Sequence, residues 1–139
     1  MKIIVPVVFL GNIEYYSLLK NADEVFFDLH GHYLKQNFRN RAEMYGANGK
    51  LDLIIPVVKH PNHTHLKDIK ISYDHTWQKQ HWKSIASAYR SSPYFEFFED
   101  DFEPIYLAKY DKLVEFNLAL QNKILEILGI KLNQTFSKE

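Results

Sequence analysis

Two stretches of this chain carry residue types and spacings that could do chemistry, and a third looks as though it does. The first is residues 28–41. Asp28 closes an apolar run, where a carboxylate could accept a proton or hold a hydroxyl. Lys35, Arg39 and Arg41 follow it and could bind a phosphate or carboxylate, with arginine offering a bidentate fork. Gln36 and Asn40 present amides that could read sugar hydroxyls. The plainer reading of the same residues is that Asp28 caps a turn and the cations form ordinary ion pairs. The second stretch is His81 and Trp82 with Ser84, Tyr89 and Tyr94. A neutral imidazole at His81 could act as a general base near pH 7, and the rings could stack on a sugar face or a base. Against this, His81 and Ser84 are neighbours on any helix, and no third residue to orient them is visible. An ordinary helix packing Trp77, Trp82 and Tyr89 into a core explains them as well.

The third is His60, His63 and His65, which look like metal ligands. A zinc site needs three or four ligands in tetrahedral geometry. These three sit in a loop with Pro61 and Asn62, flanked by Lys59 and Lys67, and read as solvated. The acidic run Glu96, Glu99, Asp100, Asp101 and Glu103 lacks the glycine turn of a calcium loop and reads as a helix face in water. No metal is expected. The chain has no phosphate-binding P-loop, no nucleophile elbow and no full dinucleotide fingerprint. The residues assign no cofactor.

The elements that must position these groups follow from periodicity. Residues 2–8 are a near-continuous β-branched run, which predicts a strand buried on both faces. Residues 12–21 have helical spacing and residues 24–28 form a second apolar strand, together a βαβ unit with a parallel pair. Open α/β sheets bind ligands at the carboxyl ends of their strands, which is where Asn12, Tyr15 and residues 28–41 fall. Gly46, Asn48 and Gly49 between two extended runs predict a β-hairpin. Residues 69–73 alternate like a strand. Asp74 is placed to cap a helix reaching residue 90, and Ser92-Pro93 to start the next. Pro104 should interrupt or restart that helix. A last helix over residues 111–128 ends at Gly129 in a left-handed stop, and residues 133–139 should fray. The expected fold is α/β: a Rossmann-like layered sheet, with a parallel N-terminal βαβ plus a β-hairpin, and a helical C-terminal half.

Composition bounds the partners. The 139 residues show no internal repeat and predict one domain, long enough to bury a core without staples. Lys plus Arg and Asp plus Glu are 17 each, so net charge gives no argument for nucleic acid or an anionic membrane. Zero net charge also gives little colloidal repulsion, which keeps a homodimer open. With no cysteine, disulfides, thiolate metal sites and a cysteine nucleophile are excluded. No run is long enough to span a membrane, and residues 1–10 read as a strand and not a signal peptide. A cytoplasmic setting is expected.

Four segments taken together resemble the WbqC-like family: residues 9–23 (FLGNIEYYSLLKNAD), 25–28 with 33–41 (VFFD, YLKQNFRNR), 46–57 (GANGKLDLIIPV) and 77–95 (WQKQHWKSIASAYRSSPYF). Where many members carry a Gln-Pro element, this chain has Val5-Pro6-Val7-Val8. The resemblance implies a protein of bacterial surface-polysaccharide (O-antigen, lipopolysaccharide) biosynthesis. It implies a transferase acting on a sugar or sugar-nucleotide precursor, with amino-acid (glycine) transfer suggested. On that reading Asp28 and His81 are the catalytic candidates, and Asn12, Tyr15, Lys35, Gln36, Asn40, Arg41, Trp82, Tyr89 and Tyr94 bind substrate. The alternatives are a non-catalytic nucleotide-sugar or polysaccharide binding module, and an assembly protein that docks partners through aromatic surface.

Overall fold

The computed structural model describes residues 1–30, 40–46, 49–93 and 95–136. The chain opens with strand β1 (Lys2–Pro6), helix α1 (Ile13–Asn21) and strand β2 (Glu24–Asp28), and β1 pairs with β2 in parallel. Asn12 starts α1 by accepting a hydrogen bond from the Tyr15 backbone at 2.9 Å, which satisfies one of the helix's free donors. The expected βαβ unit is therefore present.

Three features of this sheet depart from expectation. β1 is shorter than residues 2–8, and among the described residues the sheet is covered on one face only. Val25 and Phe27 are buried, while Ile4 is 75% exposed and Phe26 39%. Alternation along each strand turns Ile3, Val5, Val25, Phe27 and Phe136 toward a core with Tyr16 and Leu19 of α1, and leaves Ile4 and Phe26 outside. Nor does the tail fray throughout. Gln134–Phe136 forms β5, parallel to β2, and Phe136 stacks on Phe27 at 5.4 Å. The strand order is β1-β2-β5.

The hairpin is a separate sheet of β3 (Arg41–Gly46) and β4 (Gly49–Ile54), antiparallel, with Gly46 opposite Gly49. Ala42, Met44 and Leu53 face the larger core. Arg41, Glu43, Lys50 and Asp52 share the outer face, where Arg41 pairs with Asp52 and Glu43 with Lys50, each at 3.0 Å.

Residues 69–73 do not make a regular strand. They pair only through single bridges, Val57 with Ile71 and Lys70 with Lys112.

Helix α2 (Trp77–Tyr89) begins later than Asp74. Its cap position is Thr76, which makes no side-chain cap bond. Helix α3 (Phe95–Leu107) runs through Pro104 without a break. Pro104 and Asp100 both lie on the exposed side, so the carbonyl that loses its partner can be hydrated. Helix α4 (Leu113–Leu128) contributes to both cores, Phe116 and Leu120 to the larger and Leu125 to the smaller.

The end of α4 follows the Schellman pattern that Gly129 predicts. Gly129 has φ 70°, its N–H donates to the Glu126 carbonyl at 3.2 Å, and the Ile130 N–H donates to Leu125 at 2.9 Å. A side chain there meets no steric obstacle but must adopt the left-handed conformation. Gly129→Ala is therefore expected to cost about 1 kcal/mol in urea unfolding, with unchanged circular dichroism at zero denaturant. A stabilised variant would contradict this account of the helix stop.

Candidate functional site

Two adjoining hollows lie between the sheet loop, the hairpin and the helices. One, about 440 Å³, follows the carboxyl end of β1 and sits beside the first turn of α1. Its walls are residues 8–12, Tyr15, Ala42 and Glu43. The other, about 420 Å³, opens among α2, α3, α4 and β3 and is walled by apolar and aromatic groups, including Trp82, Ile85, Phe95, Phe98, Phe102 and Leu120. Leu10, Ala42 and Glu43 border both. Glu43 sits between Ala42 and Met44 on a strand whose side chains alternate. Its carboxylate thus belongs to the outer face with Lys50, and its backbone closes the shared wall. Leu10 holds φ 44°, a left-handed conformation that costs a branched residue about 1–3 kcal/mol and often marks a functional loop.

The polar hollow is shaped by Gly11 and Tyr15. A Cβ built on Gly11 would come within 2.6 Å of the Tyr15 ring. That ring is anchored at its far end, where the hydroxyl lies 2.9 Å from both the Pro6 carbonyl and the Gln121 side-chain amide. One phenol hydrogen cannot be donated twice. With the Gln121 amide turned so that Nε2 donates to Tyr15, the phenol donates to Pro6, and the otherwise unpartnered Nε2 is satisfied. Burial holds the Tyr15 phenol far above the ordinary tyrosine range. It is a structural tie between β1, α1 and α4, and its ring forms a wall of the hollow.

His81 is buried, and its Nδ1 is engaged. Nδ1 lies 2.6 Å from the Tyr106 hydroxyl, and the Ile54 backbone lies beside the ring. Burial lowers the His81 pKa to about 4, so the imidazole is neutral at pH 7. Ser84 lines a different hollow, beside Gly46 and Gly49 at the hairpin tip, and no His–Ser pair forms.

The remaining candidates divide as follows. Asp28 accepts a hydrogen bond from the His30 backbone at 3.0 Å, a turn cap. Asn40 clasps Ile55, its side-chain Nδ2 donating to the Ile55 carbonyl at 3.1 Å and its backbone carbonyl accepting from the Ile55 N–H at 2.8 Å. Arg41 is held by Asp52. Asn12 and Tyr15 border the polar hollow, while Trp82 and Tyr89 border the aromatic one. Asp28, Asn40, Arg41 and His81 wall neither. Lys35, Gln36 and Tyr94 lie outside the described residues. The candidates that line a hollow thus fall two and two, Asn12 and Tyr15 in one, Trp82 and Tyr89 in the other. Leu10, Ala42 and Phe98 were missed as wall residues. The run of phenylalanines from Phe95 to Phe102 was the available signal for the aromatic side. The backbone angle of Leu10 left none.

Among the described residues, neither hollow has a lysine, arginine or histidine in its walls. No three His, Cys, Asp or Glu side chains among them gather to hold a metal ion. No described helix is long and apolar enough to cross a membrane.

The arrangement defines an α/β protein whose ligand-sized hollow lies past the carboxyl end of a parallel strand, where such sheets bind ligands. The model of the WbqC-like protein family matches residues 8–139, nearly the whole chain, and the chain belongs to that family. No curated protein and no solved structure matches it.

Two predictions follow from this geometry. Gly11→Ala forces the Tyr15 ring off its anchor and is expected to cost about 1–3 kcal/mol in urea unfolding; an unchanged midpoint would show that the ring yields freely. His81 binds its proton in the unfolded chain near pH 6.5 but in the folded one only near pH 4. The unfolded state thus holds more protons in that window, and stability falls as pH drops from 6.5 toward 4. In His81→Gln that part of the pH dependence should vanish from melting curves. A slope as steep as in the parent protein would place the responsible group elsewhere.

Proposed function

We propose that this chain is a cytoplasmic transferase of bacterial surface-polysaccharide assembly, taking a sugar or sugar-nucleotide precursor in the polar hollow beside α1. Family membership supports the pathway. The observation that carries the transfer reading is the shared wall at Leu10 and Ala42. A transferase must hold two reactants side by side, and two ligand-sized hollows meet there. The Asn12 amide and the backbone of residues 8–12 offer hydrogen-bonding groups suited to hydroxyls. The described walls carry no cation, which favours the sugar part of a precursor there over its phosphates. Lys35, in the segment after β2, is the group proposed for the phosphates of a sugar nucleotide, and Gln36 for its sugar hydroxyls. Amino-acid transfer is the reaction the family suggests.

A second reading is a non-catalytic binding module. It is favoured by one observation: Asp28 and His81, the two catalytic candidates, are both hydrogen-bonded internally. Thermal-shift measurements with sugars, sugar nucleotides, amino acids and ATP test both readings. A specific ligand at a hundredfold excess over Kd stabilises by about 2.7 kcal/mol, and Val8→Trp, which fills the polar hollow, should abolish the shift. Mass spectrometry of the sugar after incubation with a candidate donor then separates transfer from binding. If no compound shifts the melting temperature, or if Val8→Trp leaves the shift intact, the polar hollow is not the site.

A further inference from the structure

The aromatic hollow suits a different ligand from its polar neighbour. Its walls offer few polar atoms, and one of them, the Tyr106 hydroxyl, is already taken by His81. A sugar placed there would leave hydroxyls without partners, which is costly in an apolar cavity. An alkyl or aryl group loses nothing and gains for each carbon buried. Glu99 and Ser92 are further polar side chains in its walls, and the Ser92 N–H donates to the Tyr89 carbonyl at 2.8 Å.

At Glu99 a cation seat is already built. The Glu99 carboxylate lies 3.4 Å from the Arg90 guanidinium, which also sits over the Phe95 ring at 5.3 Å. Glu99 and Phe95 are walls of the hollow, and the Glu99 side chain is 21% exposed. The Arg90 side chain is 60% exposed, so its hold on the seat is loose and easily exchanged. A carboxylate beside an aromatic face is the pairing that binds an ammonium group. Glu96, Asp100, Asp101 and Glu103 on the same helix make the surroundings more negative, which selects against an anionic head.

We propose that the aromatic hollow binds an apolar group bearing a protonated amine, an alkyl- or arylammonium, with its apolar body among Trp82, Ile85 and Phe102. The ammonium displaces Arg90 from the seat formed by Glu99 and Phe95. Arg90 is the chain's own stand-in for that ligand. The inference does not depend on the sugar reading of the polar hollow, and its test uses other residues and other probes.

The test is calorimetric titration of the full chain with n-octylamine, n-octanol and octanoate at neutral pH. Octylamine should bind at least tenfold more tightly than octanol, and octanoate more weakly than either. Glu99→Gln should bring octylamine down to the affinity of octanol. Arg90→Ala, which vacates the seat, should tighten octylamine several-fold, a gain that mere structural damage would not produce. Ile85→Trp fills the hollow and Ser92→Trp blocks its rim; each should cost at least tenfold for both ligands. Should Ile85→Trp fail to fold, Ser92→Trp carries that arm alone. The proposal is overturned if no probe binds, if octanoate binds as well as octylamine, if Arg90→Ala weakens the amine, or if the tryptophan variant that folds binds like the parent.

Discussion

The hydrogen bond between the Tyr106 hydroxyl and Nδ1 of His81 joins α3 to α2 inside the larger core, and the Ile54 backbone of β4 lies beside the imidazole. Trp77, Phe9 and Phe116 pack around this pair, with Trp77 edge-on to the imidazole at 5.1 Å and Phe9 stacked on it at 6.4 Å. A buried imidazole is tolerable only if it is neutral and both nitrogens are satisfied. The bond to Tyr106 fixes how α2 stands against α3. The walls of the aromatic hollow, on α2, α3 and the hairpin, inherit their positions from it. Gln78 reinforces the arrangement, donating to the Tyr106 carbonyl at 3.0 Å near the end of α3.

The smaller core is tied in by a second polar device. The Tyr15 phenol lies between the end of β1 and Gln121 of α4 and so holds the loop of residues 7–12 against the last helix. The two hollows form because that loop is pinned on one side by Tyr15 and on the other by the Phe9 ring, which belongs to the larger core. Leu10, caught between these two anchors, takes up the left-handed backbone angle and becomes the partition.

The sequence carried the parallel βαβ unit, the hairpin and the α4 stop plainly, because each is a local signal: a run of β-branched residues, glycines at a tight turn, a glycine after an apolar stripe. It did not carry β5. Gln134, Thr135 and Phe136 have no periodicity of their own, and the strand exists because β2 offers an unpaired edge and Phe27 offers a ring to stack on. One-sided burial of the sheet was equally hidden, since Ile4 and Phe26 look like core residues wherever they point. For the site, residue type showed what chemistry was available but not where it was used. His81 and Tyr15 have the character of catalytic groups and serve as internal ties. Glu99 was read as one of several solvated acids and instead lies in a wall. These outcomes depend on tertiary partners 25 to 106 residues away, beyond the reach of spacing rules.

The pairing of β2 with β5 has a kinetic consequence. Val25 finds its partner at Gln134, so the parallel sheet closes only after a long intervening stretch has been made and compacted. During synthesis on the ribosome, β1, α1 and β2 emerge early with one strand edge bare, and must wait for the final segment before that edge is sealed. Such long-range pairing slows folding and leaves a window in which bare edges on two nascent copies could join. The hairpin and α2–α4, built from nearer neighbours, are free to assemble during that wait. The order of events would then run opposite to the order of the chain.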